Sequence, residues 1–232
     1  MKLVFAALLV SVCIALPQRG AAQDKPKTDE NSLNFADFEK VENGRPMSTR
    51  GGMIQLFAYE ENKALKAEFK GAAGVEPPAP ELVHIKPGDP NHAAKFDYAL
   101  HAPNQWTGVT LEVHGLPDQD GKPVTEDLSG YKTLSLQVYA TGIEILRLEA
   151  LSKQRGKDTT FAWPMDTFKV RPGFNTYKVP LKAFTQPGWA PVRVDPKDIF
   201  KELTSLNLTA FCDQCKLNQQ GMVIVDNIVF EK

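Results

Sequence analysis

A strict alternation of apolar and polar residues runs through Thr133-Leu-Ser-Leu-Gln-Val-Tyr-Ala140. Successive side chains of a β-strand point to opposite faces, so Leu134, Leu136 and Val138 share one face. The other face then carries only polar side chains and a tyrosine. This pattern predicts a strand with one face in a hydrophobic core and one toward water, which is typical of antiparallel sheets.

The same period of two recurs along most of the chain. Ten further segments show it, at 108–114, 143–151, 174–181, 203–211 and 222–230, and less clearly at 33–39, 53–59, 64–70, 95–101 and 159–163. Turns rich in Gly, Pro and Asp separate them, and the Pro-rich stretch 72–93 indicates a long surface loop. Only residues 195–203 indicate a helix, with Asp195 as its N-cap. The sequence therefore predicts an all-β antiparallel β-sandwich.

The composition is that of an ordinary globular domain. The 232 residues include 27 Lys or Arg against 28 Asp or Glu, a formal net charge of -1, and 42% hydrophobic residues. These values exclude a disordered chain and a polytopic membrane protein. Because a nucleic-acid binder normally carries a basic excess, we expect no nucleic acid among the partners.

The N-terminus has the order of a secretory signal peptide. Lys2 is followed by an apolar run over 3–16 and by small residues up to Ala22, after which we expect cleavage. The apolar run has 14 positions, whereas a spanning helix needs about 20, so no permanent membrane span is expected after cleavage. Residues 1–22 are thus predicted as a signal peptide, 23–32 as a flexible linker and 33–232 as the folded domain. This organisation predicts export to a periplasmic or extracellular location.

Two cysteines, Cys212 and Cys215, lie beyond the predicted cleavage site. A disulfide, a zinc half-site and a redox-active pair are the three interpretations of this spacing. No histidine follows Cys215 to complete a zinc site, and no βαβ pattern surrounds the pair as in thioredoxin-like proteins. Export to an oxidising compartment favours the disulfide over the other two.

Candidate ligand-binding residues lie on the outward faces of several predicted strands. Amide and guanidinium groups hydrogen-bond pairs of sugar hydroxyls, and aromatic rings stack on the apolar face of a sugar. The candidates are Glu112, His114, Gln137, Tyr139, Arg147, Glu149 and Asn207, with Trp163 from a segment that could line a cleft. They converge only if their strands are neighbours in one sheet. The alternative is a solvated face with cross-strand ion pairs, and a Trp163 that packs at the edge of the sandwich.

Four segments resemble a known family in their sequence and order. They read Phe-Ala-Asp-Phe-Glu at 35–39, Asp-Leu-Ser-Gly-Tyr-Lys-Thr-Leu-Ser-Leu-Gln-Val at 127–138, Phe-Asn-Thr-Tyr-Lys-Val-Pro-Leu-Lys-Ala-Phe at 174–184 and Val-Ile-Val-Asp-Asn-Ile-Val-Phe at 223–230. Through them, residues 33–232 are similar to the galactose-binding-like β-jelly rolls. The resemblance is to family 11 carbohydrate-binding modules and to the complex I intermediate-associated protein 30 family in particular.

The resemblance also implies one structural calcium ion near the paired terminal strands. The matching positions are Glu39 and Asp226. Calcium takes six to eight oxygen ligands, so backbone carbonyls would have to complete the shell around two carboxylates. The alternative is that both acids cap strand ends or pair with a basic side chain.

The strand motifs and the polar outward face together predict an exported, non-catalytic module that binds carbohydrate or a related polar ligand. The chain contains no P-loop, no Gly-Xaa-Ser-Xaa-Gly nucleophile elbow and no HExxH motif. Two alternatives stay open. One is an assembly-factor-like scaffold with an envelope protein as partner, and the other is a hydrolase in which Glu112 and Glu149 are the catalytic pair.

Overall fold

The computed structural model describes residues 31–60, 66–153, 162–212 and 218–232. The predicted signal peptide and nearly all of the predicted linker lie outside these residues, so both stay predictions. In the described part of the chain, no helix has the length and apolar character needed to cross a membrane.

The described residues form short strands in the order that the alternation predicts, with one short α-helix and one 3-10 helix. The strands are β1 (Ser32–Ala36), β2 (Val41–Glu42), β3 (Arg45–Pro46), β4 (Ile54–Glu60), β5 (Glu68–Lys70), β6 (Glu81–His84), β7 (His92–Leu100), β8 (Gln105–Glu112), β9 (Thr133–Ala140), β10 (Ile145–Leu151), β11 (Met165–Lys169), β12 (Asn175–Pro180), β13 (Ser205–Cys212) and β14 (Gln219–Glu231). The 3-10 helix spans Leu181–Ala183, and α1 spans Pro196–Lys201.

Two antiparallel sheets stack on each other. The larger has the order β12-β9-β14-β7-β5, with β1 added beside β14 and β6 beside β7. The smaller, which we call the five-stranded sheet, has the order β11-β10-β13-β8-β4. A two-stranded hairpin of β2 and β3 lies apart from both. The predicted antiparallel β-sandwich is therefore confirmed.

The core lies between the two sheets, on the faces that the alternation predicts. Leu136 of β9 and Phe230 of β14 come from the larger sheet, and Leu148 of β10 and Leu208 of β13 come from the five-stranded sheet; all four are buried. Full burial of such a side chain stabilises the fold by about 1.5–3 kcal/mol. The polar residues between them consequently point to the outside of the sandwich.

The predicted helix closes one end of the core. The side chain of Asp195 accepts a hydrogen bond from the backbone N–H of Lys197 at 2.9 Å, which confirms it as the N-cap of α1. Phe200 of α1 is buried and packs edge-on against Phe184, with ring centroids 5.1 Å apart. A helix of six residues is not stable by itself, so this packing is what stabilises α1.

Two predicted segments differ from the structure by more than a shifted strand end. The segment at 159–163 indicates a strand, but β11 begins later, at Met165, and residues 159–161 lie outside the described part. The stretch 72–93 contains β6, although its proline content predicts a loop. Among the described strands, β6 pairs with β7 alone, so it lies at an edge where nearby prolines remove no ladder hydrogen bond.

Candidate functional site

Four predicted ligand-binding residues lie on the outer face of the five-stranded sheet. Arg147 and Glu149 belong to β10, Asn207 to β13 and Glu112 to β8, which are consecutive neighbours in the sheet. Glu149 is directly opposite Asn207 in the register, and Asn207 is opposite Thr110. Glu149, Asn207 and Thr110 therefore form one cross-strand row on the side away from the core, with Arg147 beside Glu149 and with Glu112 further along β8.

Gln137 and Tyr139 do not join this row, because their strand is not a neighbour of β8, β10 or β13. Both lie on β9 of the larger sheet, where Gln137 is opposite Asp226 and Tyr139 is opposite Ile224. Their side chains point outward on the far side of the sandwich. Alternation along a strand assigns a residue to the inside or outside, but it contains no information about which sheet the strand joins.

The row is connected by hydrogen bonds. The Thr110 hydroxyl donates to Asn207 Oδ1 at 2.8 Å, and Asn207 Nδ2 donates to Glu149 Oε2 at 3.0 Å. Arg147 joins the row through an ion pair, with Nε 3.0 Å from Glu149 Oε1 but without the geometry of a hydrogen bond. Asn207 and Glu149 are each only 8% exposed, so these bonds hold their side chains in fixed positions.

Aromatic rings hold the guanidinium of Arg147. Its central carbon lies 5.0 Å from the centroid of the Trp106 ring and 5.0 Å from that of Phe211, so the cation lies against both π-systems. Arg147 Nη2 is buried and has no hydrogen-bond partner among the described residues. Tyr59 stacks on Trp106 with ring centroids 4.0 Å apart and planes inclined by 19°. The outer face thus combines polar groups with a stacked pair of rings.

The alternation of single strands does not identify Tyr59, Trp106, Phe211 and Thr110 as members of this face. Their strands pair side by side, with Trp106 opposite both Tyr59 and Phe211. Outward alternation in β4, β8 and β13 was the available signal. This signal does not suffice, because Trp106 lies 47 positions after Tyr59 and 105 positions before Phe211. Only the strand order brings the three rings together.

Glu112 and His114 lie at the polar end of the same sheet. Glu112 Oε1 accepts a bond from Lys153 Nζ at 2.5 Å, and His114 Nε2 lies 3.0 Å from Glu126 Oε2. They line a cavity of about 150 Å³, together with Lys153, Thr204 and the loop that follows His114. Both residues therefore adjoin the hydrogen-bonded row without belonging to it.

Trp163 is partly buried and packs against the hydrophobic core. This placement matches the alternative in which it packs at the edge of the sandwich. The described contacts do not place it on the outer face with Arg147.

Asp226, one of the two predicted calcium ligands, is fully buried in β14. Its Oδ2 accepts hydrogen bonds from the side-chain amides of Asn91 at 2.7 Å and Asn227 at 2.9 Å, and its Oδ1 accepts one from the Asn227 backbone N–H at 2.7 Å. Burial raises the pKa of Asp226, and the charges of Glu39 and Asp37 add to the rise, while the hydrogen bonds oppose it. N–H donors therefore engage both carboxylate oxygens.

Glu39, the other predicted calcium ligand, is held by His92. Its Oε1 accepts the His92 backbone N–H at 2.5 Å, and its Oε2 lies 3.1 Å from His92 Nδ1. Desolvation works to raise the pKa of Glu39, but the hydrogen bonds and charge of His92 and the charge of His84 outweigh it and lower the pKa. The rings of His84 and His92 are themselves in contact, with centroids 4.6 Å apart.

The donors around these two acids do not form a calcium shell. Calcium requires six to eight oxygen ligands, whereas the contacts to Asp226 and Glu39 come from nitrogen. Within the described ranges, no group of three or more His, Cys, Asp or Glu side chains could hold a metal ion. The calcium ion thus stays a prediction that rests on the resemblance alone.

The predicted disulfide also stays a prediction. Cys212 is buried at the end of β13, and Cys215 lies outside the described residues.

Comparison with known proteins shows a similar fold in solved structures. No protein-family model matches the chain, and no curated protein matches it in sequence. The family 11 carbohydrate-binding module of the cellulosomal cellulase Lic26A-Cel5E of Clostridium thermocellum matches with a TM-score of 0.52 and 16% identity, over 86% of this chain and 94% of that chain. The family 11 module from Clostridium thermocellum in complex with a beta-1,3-1,4-mixed-linked tetrasaccharide matches with a TM-score of 0.53 and 16% identity, over 87% and 95%.

These matches confirm the predicted jelly-roll fold and its likeness to family 11 carbohydrate-binding modules. At such identity they show the fold and nothing about the ligand. The resemblance to the complex I intermediate-associated protein 30 family is not shown by them and stays a prediction.

Proposed function

We propose that the protein binds carbohydrate on the outer face of its five-stranded sheet. The observation that carries the proposal is the connected row of Thr110, Asn207, Glu149 and Arg147 beside the stacked rings of Tyr59 and Trp106. Sugar recognition requires both elements, because a pyranose ring presents hydroxyls at its rim and apolar C–H groups on its faces.

Arg147 is the central polar group of the proposed site. Its side chain keeps 13% of its surface exposed, and a ligand hydroxyl would bond to the guanidinium from that side. Glu149 and the two flanking rings already fix the guanidinium, so little side-chain entropy is lost when a ligand binds.

Tyr59 is the proposed stacking surface. Its side chain is 45% exposed although it packs on Trp106, so part of the tyrosine remains available to a ligand. Because Trp106 supports it, the ring is held in place instead of rotating freely. A supported, exposed ring beside fixed polar groups is the arrangement that suits a sugar ring.

We expect Tyr59→Ala to weaken polysaccharide binding about tenfold, since stacking contributes about 0.5–1.5 kcal/mol beyond the buried area. Affinity electrophoresis and calorimetry on a panel of β-glucans, mannan and xylan would measure the affinity. Mixed-linked β-1,3-1,4-glucan is the first probe, because a family 11 module of similar fold is described in complex with such a tetrasaccharide.

Tyr139→Ala is the matched control, because this tyrosine is partly exposed on the opposite sheet. It should leave the affinity unchanged. Weaker binding in Tyr139→Ala with normal binding in Tyr59→Ala would mean that the ligand binds to the larger sheet, which would contradict the proposal. No binding to any polysaccharide by the folded wild-type protein would refute carbohydrate binding itself.

We also propose that the chain is exported and cleaved after Ala22. Expression of residues 1–232 should yield an exported protein whose first residue is Gln23, as N-terminal sequencing would show. Ala22→Leu should impair processing, because signal peptidase requires a small residue at that position. A protein that keeps Met1 and stays in the cytoplasmic fraction would contradict the signal peptide.

The hydrolase and scaffold alternatives have less support. Glu149 and Glu112 lie on β10 and β8 with β13 between them, and each already pairs with a cation, Arg147 or Lys153. Nothing in the described part of the chain specifically favours an envelope-protein partner.

A further inference from the structure

A second cavity, of about 330 Å³, lies at the end of the larger sheet where β12 ends and β9 begins. Residues before β9, residues of the 3-10 helix and residues of α1 surround it. The described lining consists of Ser129, Tyr131, Leu181, Lys182, Asp195, Pro196, Lys197 and Phe200. None of these residues belongs to the five-stranded sheet. Its volume is at the lower end of the range for small-molecule sites, about 300–1,000 Å³.

The cavity has apolar walls on a rigid base. Tyr131, Leu181, Pro196 and Phe200 supply rings and aliphatic groups. Tyr131 and Phe200 both pack edge-on against the buried ring of Phe230, with centroids 6.0 and 6.5 Å apart. The base is therefore part of the hydrophobic core and keeps its shape without a ligand.

Two ammonium groups lie at the rim. Lys182 and Lys197 both line the cavity, and neither side chain forms an ion pair or hydrogen bond with another described residue. The one carboxylate in the lining, Asp195, is engaged by the backbone N–H of Lys197. A third ammonium, that of Lys232, lies 6.0 Å from the ring of Tyr131. The rim consequently carries an excess of positive charge.

We propose that this cavity binds a small organic carboxylate that carries a ring. The carboxylate would pair with Lys182 and Lys197, because a charge-assisted hydrogen bond to ammonium is the strongest interaction available at the rim. The ring would pack against Tyr131 and Phe200. Uronate sugars and aromatic acids share this chemistry. The site is separate from the sheet face and does not depend on carbohydrate binding there.

Calorimetric titration of the purified protein tests the proposal, with D-glucuronate, benzoate, D-glucose and inorganic phosphate as separate probes. We expect glucuronate or benzoate to bind, and whichever binds more tightly identifies the source of the carboxylate. Lys182→Gln and Lys197→Gln should each weaken that binding about tenfold, the usual effect of losing a hydrogen bond to a charged group.

Lys178→Gln is the matched control for these two variants. Lys178 is an exposed lysine at the same sheet edge, but it pairs with Glu231 at 2.7 Å and does not line the cavity. It should leave the affinity unchanged, and so should Tyr59→Ala, which separates this site from the sheet face. The proposal is overturned if neither carboxylate binds, if phosphate binds as tightly as both, or if Lys178→Gln weakens binding as much as Lys182→Gln.

Discussion

Replacing Asp226 by alanine is expected to lower the free energy of unfolding by about 3–5 kcal/mol. The carboxylate accepts three hydrogen bonds, two from Asn227 and one from Asn91, and it is fully buried. Alanine removes both acceptor oxygens, and with them all three hydrogen bonds, and leaves the donors in a partly buried environment with no partner. These bonds also hold β14 at Asn227, whose positive φ of 48° accompanies a shift in the strand register.

Urea unfolding followed by circular dichroism would measure this loss. Asp226→Asn should cost much less, because an amide keeps one acceptor oxygen at the same position. Asp97→Ala is the control: this acid is 41% exposed and 3.7 Å from Lys95, so its removal should change stability by less than about 0.5 kcal/mol. Equal stability of Asp226→Ala and the wild-type protein would show that these hydrogen bonds do not stabilise the fold.

The same variants test the calcium prediction. If calcium binds at Glu39 and Asp226, excess calcium should raise the melting temperature of the wild-type protein but not that of Asp226→Asn. A wild-type melting temperature that is identical in calcium and in EDTA would refute the site. In that case the Asn91 and Asn227 amides alone stabilise the buried carboxylate.

Replacing Glu149 by alanine is expected to cost about 3 kcal/mol of stability. The side chains of Arg147 and Glu149 are only 13% and 11% exposed, so the substitution leaves a largely buried guanidinium without its counter-charge. Asn207 also loses the acceptor for its amide. Removing one partner of a buried ion pair is more costly than the net contribution of the pair, because the remaining charge stays desolvated.

A double substitution, Arg147→Met with Glu149→Gln, separates stability from binding. It removes both charges, keeps an acceptor for Asn207 and leaves a flexible apolar side chain between Trp106 and Phe211. We expect its stability to lie within about 1 kcal/mol of wild type, while polysaccharide affinity is lost. A double variant as unstable as Glu149→Ala would mean that the geometry of the network, not its charge, stabilises this face. Full sugar binding by the folded double variant would remove Arg147 from the proposed site.

The faces of the strands and the position of the helix follow from the sequence, because both depend on local geometry. Side-chain direction alternates along any extended strand, so Leu136 and Leu148 are assigned to the core without knowledge of the fold. Asp195 followed by proline marks the start of α1 because capping involves only the next two or three residues. The described structure confirms both.

The composition of the candidate site was decided only by the tertiary structure. Tyr59, Trp106 and Phe211 meet because β4, β8 and β13 are neighbours, whereas Tyr139 has the same outward pattern and lies on the other sheet. Pairing between distant strands depends on how whole hydrophobic faces pack and on the twist of the sheets. No single strand carries this information, so its alternation identifies which side chains face outward but not which of them share a surface.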